Sequence, residues 1–146
     1  MRMDIQVCTL GDLDEWAALR GALWPDEEDL RASAQAMLAD QRRIALLFRS
    51  DAGEALAFAE ASIRRDYVNG CDTSPVAFLE GIYVAPGHRE RGIARTLAER
   101  VAIWARGFGC TEFASDALLE NEASHAFHAA IGFAETERVV YFRRPL

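Results

Sequence analysis

Val76-Ala77-Phe78-Leu79-Glu80-Gly81-Ile82-Tyr83-Val84-Ala85-Pro86-Gly87-His88-Arg89-Glu90-Arg91-Gly92-Ile93-Ala94 is the stretch that decides the fold. Up to Val84 it is apolar apart from one carboxylate, Glu80. A run of this kind reads as a strand buried on both faces. Pro86-Gly87 ends it. Gly92 then opens a helix over residues 92–108, with Ile93, Leu97, Val101 and Trp104 in register and Gly109 as its close. A helix N-terminus offers free N–H groups and a positive dipole, which suit a phosphate. Gly92 lets the backbone approach an anion closely. Arg89, Arg91 and Arg95 add positive charge. These features imply a pyrophosphate-bearing ligand; the plain alternative is a strand–turn–helix with solvated arginines. The spacing matches neither a P-loop nor the G-x-G-x-x-G dinucleotide fingerprint.

Working outward, residues 4–10 read as a first strand. Asp12 stands as an N-cap before a helix with Leu13, Trp16, Ala17, Arg20 and Leu23 on one face. Pro25 stops that helix at Trp24. A second helix is expected over residues 26–41, with Leu30, Ala34, Met37 and Leu38 inward. Its Asp26, Glu27, Glu28 and Asp29 would sit where the dipole favours carboxylates. Residues 43–49 and 54–65 read as a hairpin about the turn Ser50-Asp51-Ala52-Gly53. Beyond the long helix come a short strand over 111–115 and a helix over 120–131 closed by Gly132. A final strand or bent pair is expected over 133–144. The order β-α-α-β-β-β-α-β-α-β predicts a mixed α/β sandwich.

The chain has 146 residues, 51% hydrophobic and 27% charged, which fits one globular domain over residues 1–146. Its net charge is −7. That argues against a nucleic-acid binder and suits a cationic ligand. Cys8, Cys71 and Cys110 are far apart and match no metal-ligand spacing, so reduced thiols in a cytoplasmic protein and no metal are expected. The amino terminus, Met1-Arg2-Met3-Asp4-Ile5, shows no signal peptide, and no run is long enough to span a membrane.

Arg89-Glu90-Arg91-Gly92-Ile93-Ala94, preceded by Val84-Ala85-Pro86, resembles the acetyl-CoA signature Q/R-x-x-G-x-G/A of GNAT N-acetyltransferases. Asn121, Ser124, Phe127, His128, Gly132 and Phe133 resemble that superfamily's second motif, with Ser124 in place of alanine and His128 in place of tyrosine. The strings at residues 23–26, 60–70, 73–84, 112–117 and 132–142 look more narrowly like aminoglycoside 6′-N-acetyltransferases. The resemblance covers essentially the whole chain. It implies a mainly antiparallel mixed sheet flanked by about four helices, acetyl-CoA as co-substrate and a polycationic aminoglycoside as acceptor.

The same resemblance implies the site. The Ile82 N–H would polarise the thioester carbonyl, and Val84 would hold the pantetheine arm with Tyr83 beside it. Gly92, Ile93, Ala94, Arg95 and Thr96 would cradle the pyrophosphate, with Arg89, Glu90 and Arg91 also binding the cofactor, and Asn121 would contact pantetheine. Glu80, as the one charge in an apolar strand, is either salt-bridged to an arginine such as Arg64 or functional. Asp116, at a strand end, becomes a substrate carboxylate and candidate base. Glu137, Glu27, Trp24 and Tyr67 become substrate contacts, Tyr67 across a dimer interface. His128 stands where the family's general acid stands, although a packed helix histidine reads equally well. Direct transfer in a ternary complex is expected, because Cys110 has no neighbouring base for an acetyl-cysteine step. Two rivals remain open: a GNAT acting on a polyamine or a protein N-terminus, and a non-catalytic acetyl-CoA-binding module. The apolar Val139-Val140-Tyr141-Phe142 makes a homodimer plausible.

Overall fold

Ten elements follow one another along the chain. They are β1 (Asp4–Val7), a 3-10 turn (Leu10–Asp12), α1 (Leu13–Leu23), α2 (Leu30–Met37), β2 (Arg43–Arg49) and β3 (Ala55–Arg64), then β4 (Val76–Val84), α3 (Ile93–Arg106), β5 (Phe113–Ala114) and α4 (Glu122–Ala130). The structure, a computed structural model, describes residues 3–146. Met1 and Arg2, on which the reading of the amino terminus partly rests, lie outside the described residues.

The strands form one sheet in the order β1-β2-β3-β4-β5. The first three pairings are antiparallel and β4–β5 is parallel, so the expected mixed sheet is present. Alternation along the strands splits the side chains between two layers. Leu46, Phe48, Ala57, Ala59 and Ala61 meet Ile93, Leu97 and Val101 of α3 on one face. Ala45, Leu47 and Phe58 meet Leu13 and Trp16 of α1 and Ala34 and Met37 of α2 on the other. Glu60 shares the strand parity of Phe58 and so enters the α1–α2 layer.

Several expected boundaries move. β1 ends at Val7 because the chain winds into the 3-10 turn, where the Thr9 N–H donates to Asp12 Oδ2 at 2.8 Å. Asp12 precedes α1, but its carboxylate bonds Thr9 and Arg49 rather than the helix. α2 begins at Leu30 instead of Asp26, because Asp29 turns into the left-handed region at φ 57°. The acidic run 26–29 is therefore loop, and the expected dipole role for it does not hold. Leu38 falls past the helix end and is exposed. α3 ends at Arg106 with Gly107 as its cap; Gly109, at φ 82°, turns the chain afterwards. The final strand expected over 133–144 does not form: this segment takes no strand partner among the described residues. Its apolar pattern is a local property, whereas a strand needs a partner edge.

Glu112 clips the loop before β4 to the start of β5. Its carboxylate accepts the Thr73 hydroxyl and the N–H groups of Asp72 (2.9 Å) and Thr73 (2.8 Å). These bonds, the Thr73 hydroxyl foremost, hold the carboxyl below the usual carboxylate range. The folded value lies below the unfolded one, so this stabilisation is present above the ordinary carboxylate range and is lost as pH falls through the folded value. Glu112→Gln should then weaken the fold near neutrality and flatten its pH dependence below about pH 4. Urea midpoints between acid and neutral pH measure this.

Candidate active site

β4 pairs with β3 along its whole length but with β5 only at Ala77↔Phe113 and Phe78↔Ala114. From Leu79 onward its second edge is open, and the two strands fork. The Ala85 N–H donates to Leu56 O at 2.8 Å, which fixes the amides that face β3. Antiparallel alternation then turns the Ile82 and Val84 amides outward into the fork. The Val84 carbonyl has the same orientation and accepts Arg89 Nε at 2.8 Å. The Ile82 and Val84 amides are thus the backbone donors on the open side of β4. Tyr83 packs its ring against Phe58 and beneath the Arg89 guanidinium.

A register shift at Glu60/Ala61 makes Glu80 the extra residue of β4: Glu60 faces Gly81, and Ala61 faces Leu79. This bulge bends the strand beside the fork. Glu80 is half-buried and held by Ser62 Oγ (2.6 Å) and by Arg64 Nη2 (2.9 and 3.0 Å). The expected Arg64 pair is present, so an ammonium arriving at Glu80 would share the carboxylate with Arg64.

The loop from β4 to α3 places Gly87, Glu90 and Gly92 at φ 87°, 62° and 79°. These left-handed steps curl the backbone toward the helix N-terminus, as in an anion nest. A Cβ at Gly87 or Gly92 would meet nothing within 4 Å, so the approach is open. Thr96 is the first residue whose N–H is used within the helix, bonding Gly92 O at 3.0 Å. The Ile93, Ala94 and Arg95 amides precede it and have no carbonyl one turn back. The set fits a pyrophosphate. Arg89 is committed to the Val84 carbonyl and Arg95 to the Ala130 carbonyl. Arg91 is exposed, and the field at this end comes largely from the helix itself.

His128 of α4 closes the other side of the fork. Its Nδ1 lies 2.7 Å from Ser124 O, an acceptor only, so Nδ1 carries the proton in the neutral ring. Nε2 is 2.7 Å from Ser115 Oγ, which follows β5 and reaches toward Leu79 O at 3.5 Å. The imidazole is therefore pinned across the mouth of the fork, with the Phe133 ring edge-on at 5.6 Å. Asp116, the next residue, is exposed beside it. Asn121 caps α4, accepting the Ser124 N–H at 3.1 Å. Its side chain is therefore engaged by the helix.

Trp24 lies across Gly81. A Cβ on that glycine would stand 2.6 Å from the indole, so only glycine admits the ring at this point. The structure thus brings Trp24, Glu80, Ile82, Asp116 and His128 to one strand and its fork. Glu27 lies outside that set, in the exposed run 25–29. Tyr67 is also exposed and lines an open cleft of about 590 Å³ with Arg42, Ile63, Arg64, Arg65 and Asp66. Three arginines give this cleft the wrong sign for a polycation. Glu137 is exposed; its neighbour Thr136 packs against Gly70, which sets the Tyr67 loop and the carboxy-terminal segment side by side.

Sequence reasoning missed Glu60, Ser62 and Ser115, and placed Arg20 on α1 without a role. Buried Arg20 and Glu60 pair at 2.7 Å. Arg20 could have been flagged as the one charge on an apolar helix face. Cys8 and Cys110 are buried, and burial pushes both thiols up, away from nucleophilic use. Among the described residues, no three metal-ligating side chains cluster, and no helix is long and apolar enough to cross a membrane.

A forked strand with an outward amide, next to a glycine-led helix N-terminus, is an architecture for acyl transfer from a pantetheine thioester. The chain belongs to the acetyltransferase (GNAT) family, whose model matches residues 12–133. Within it, the chain is 54% identical over 143 residues to the aminoglycoside N(6′)-acetyltransferase type 1 of Acinetobacter baumannii, covering 97% of this chain and 98% of that one. The counterpart from Serratia marcescens is 50% identical over 144 residues, covering 97% and 99%. Among solved structures, the 6′-N-acetyltransferase AAC(6′)-Ih from Acinetobacter baumannii superposes with a TM-score of 0.96 at 51% identity, covering 99% of each chain. AAC(6′)-Iy, solved with the bisubstrate analogue CoA-S-monomethyl-acetylneamine, gives 0.93 at 44%, covering 100% of each.

Proposed function

We propose that this chain transfers an acetyl group from acetyl-CoA to the 6′-amine of aminoglycosides by direct attack in a ternary complex. The open β4 edge carries this reading: a backbone donor at Ile82 lies between a phosphate cradle and a set of carboxylates and an aromatic face. Full-length similarity to proteins of that activity supports the substrate class. Acetyl-CoA, when bound, supplies the thioester. Residues 89–95 hold its pyrophosphate end, Val84 its arm, and the Ile82 N–H lies where oxyanion charge develops.

Glu80, Asp116, Glu27 and Glu137 offer carboxylates to the substrate's ammonium groups, and the Trp24 ring offers a face to a sugar. Asp116 takes the amine's proton. His128, held by Ser115 and Ser124, acts as the imidazolium: its Nε2 proton goes to the departing thiolate, and the neutral ring that remains keeps its Nδ1 proton on Ser124 O. Acetylation removes one positive charge from the drug and weakens its grip on ribosomal RNA, so resistance follows. The acidic chain, −7 overall, attracts the polycation. We read residues 1–146 as one domain working in the cytoplasm. Release of CoA thiol with tobramycin, and little or none with spermidine, is the expected assay result. Spermidine turnover alone would give the site to another amine, and CoA binding without any turnover would make the chain a sensor.

The active unit in this reading is a homodimer. Residues 139–142 belong to no strand, and Val139, Val140, Tyr141 and Phe142 are 47%, 75%, 80% and 91% exposed. Consecutive bare apolar side chains call for a partner, and the two-residue β5 leaves a sheet edge for one. Sedimentation should give a dimer, and a chain ending at Arg138 should sediment as a monomer.

A further inference from the structure

Arg20 occupies a position that the reaction does not explain. It is 6% exposed, on the apolar face of α1, and its partner Glu60 on β3 is 1% exposed. The pairing is bidentate: Nε donates to Glu60 Oε2 at 2.7 Å and Nη2 to Glu60 Oε1 at 3.0 Å. Trp16 Nε1 adds a third bond to Oε2 at 2.9 Å, so the carboxylate is fully engaged. A fold-stabilising pair needs no more than this. Yet the remaining arm of the guanidinium, Nη1, reaches out of α1 altogether. It donates to Leu30 O and to Ser33 Oγ, both at 2.6 Å, in the first turn of α2. The guanidinium carbon also sits 5.2 Å from the Trp24 ring centroid.

These contacts bracket one segment. Trp24 begins the loop between α1 and α2, and Leu30 ends it. Between them lie residues 25–29, exposed and acidic, with Asp29 in the left-handed region at φ 57°. Trp24 is the only one of them anchored on the sheet, lying over Gly81 beside Glu80. The loop is thus held at both ends by one buried cation, itself fixed to β3 directly opposite Gly81.

We propose that Arg20 is a positioning residue for substrate recognition, with Glu60 as its anchor. It sets the Trp24 ring and the 25–29 carboxylates as the wall that meets the acceptor's sugar and ammonium groups. The inference rests on the aminoglycoside reading above. A planar guanidinium suits the task, because it can hold a carboxylate with one edge and the loop with another. A lysine ammonium is a single point and cannot span both.

Arg20→Lys keeps the buried charge, and Ser33→Ala removes one tether without touching the ion pair. Steady-state kinetics should show the Michaelis constant for tobramycin raised about tenfold in Arg20→Lys and about threefold in Ser33→Ala. The Michaelis constant for acetyl-CoA should stay within about twofold and kcat within about threefold in both. Arg20→Leu/Glu60→Leu, which strands no charge although Trp16 Nε1 loses its acceptor, should stay folded and show the tobramycin defect. A tobramycin Michaelis constant unchanged in all three folded variants would overturn the proposal, as would equal losses towards both substrates. Hydrogen exchange over residues 24–33 reads the clamp without any substrate. It should quicken in Arg20→Lys while β2–β4 stay protected, and unchanged exchange there would overturn the proposal too. If the wild-type chain acetylates no aminoglycoside, the functional reading fails, and the exchange result still decides whether Arg20 holds the loop.

Discussion

Glu60→Leu should lower the unfolding free energy by about 3–5 kcal/mol, because it strands the Arg20 cation in the apolar layer between β3 and α1. The single change removes two bonds to Arg20 and one to Trp16 Nε1 together. The guanidinium keeps Leu30 O and Ser33 Oγ, both uncharged, and loses its countercharge. Against a total stability of about 5–15 kcal/mol, the loss brings the chain close to unfolding at growth temperature. In a domain of this size, the melting temperature should fall by roughly 10–20 °C. The paired change Arg20→Leu/Glu60→Leu should recover part of it, since an apolar replacement of a buried ion pair is often neutral while Trp16 Nε1 stays without its acceptor. Calorimetry of both variants and the wild type distinguishes the outcomes. Additive losses would mean that the pair itself, and not the stranded charge, sustains the fold.

His128→Gln should lower kcat with tobramycin by about 10²-fold while leaving the Michaelis constant for acetyl-CoA near its wild-type value. The imidazole is fixed by Ser124 O at Nδ1 and by Ser115 Oγ at Nε2, and it faces the mouth of the fork. Its backbone lies in the last turn of α4, where a glutamine side chain preserves the helix and much of the volume. Only the group able to deliver a proton at the thiolate is lost. Single-turnover measurement with saturating acetyl-CoA isolates the step. A variant as fast as wild type would remove His128 from the chemistry and leave it as the packed helix histidine that its contact with Phe133 also allows.

The parts of the fold legible in the sequence were those whose signals are local. The apolar run of β4 gave its bounds to the residue, because burial on both faces leaves an unbroken pattern. α3 was legible within two residues at either end from its four-residue spacing. α2 was misplaced because acidic residues at 26–29 mimic a helix start, and nothing local announces the left-handed turn at Asp29. Residues 139–142 have a strand's composition, but no strand edge among the described residues pairs with them. The Glu80–Arg64 pair was legible because an isolated charge in a buried strand demands a neighbour. The Arg20–Glu60 pair was not, because its members stand 40 positions apart and nothing local to Arg20 names the partner that its place on an apolar face demands. Ser115 escaped for the same reason: only the fork and α4 together bring it to His128.

Locating the new bond in the product tests the central claim most directly. Tobramycin incubated with acetyl-CoA and the purified chain would be recovered and the acetylated nitrogen assigned by NMR. A single acetyl group on the 6′-nitrogen is the predicted result. An acetyl group on any other amine, or unmodified tobramycin beside an enzyme that still binds CoA, would contradict it.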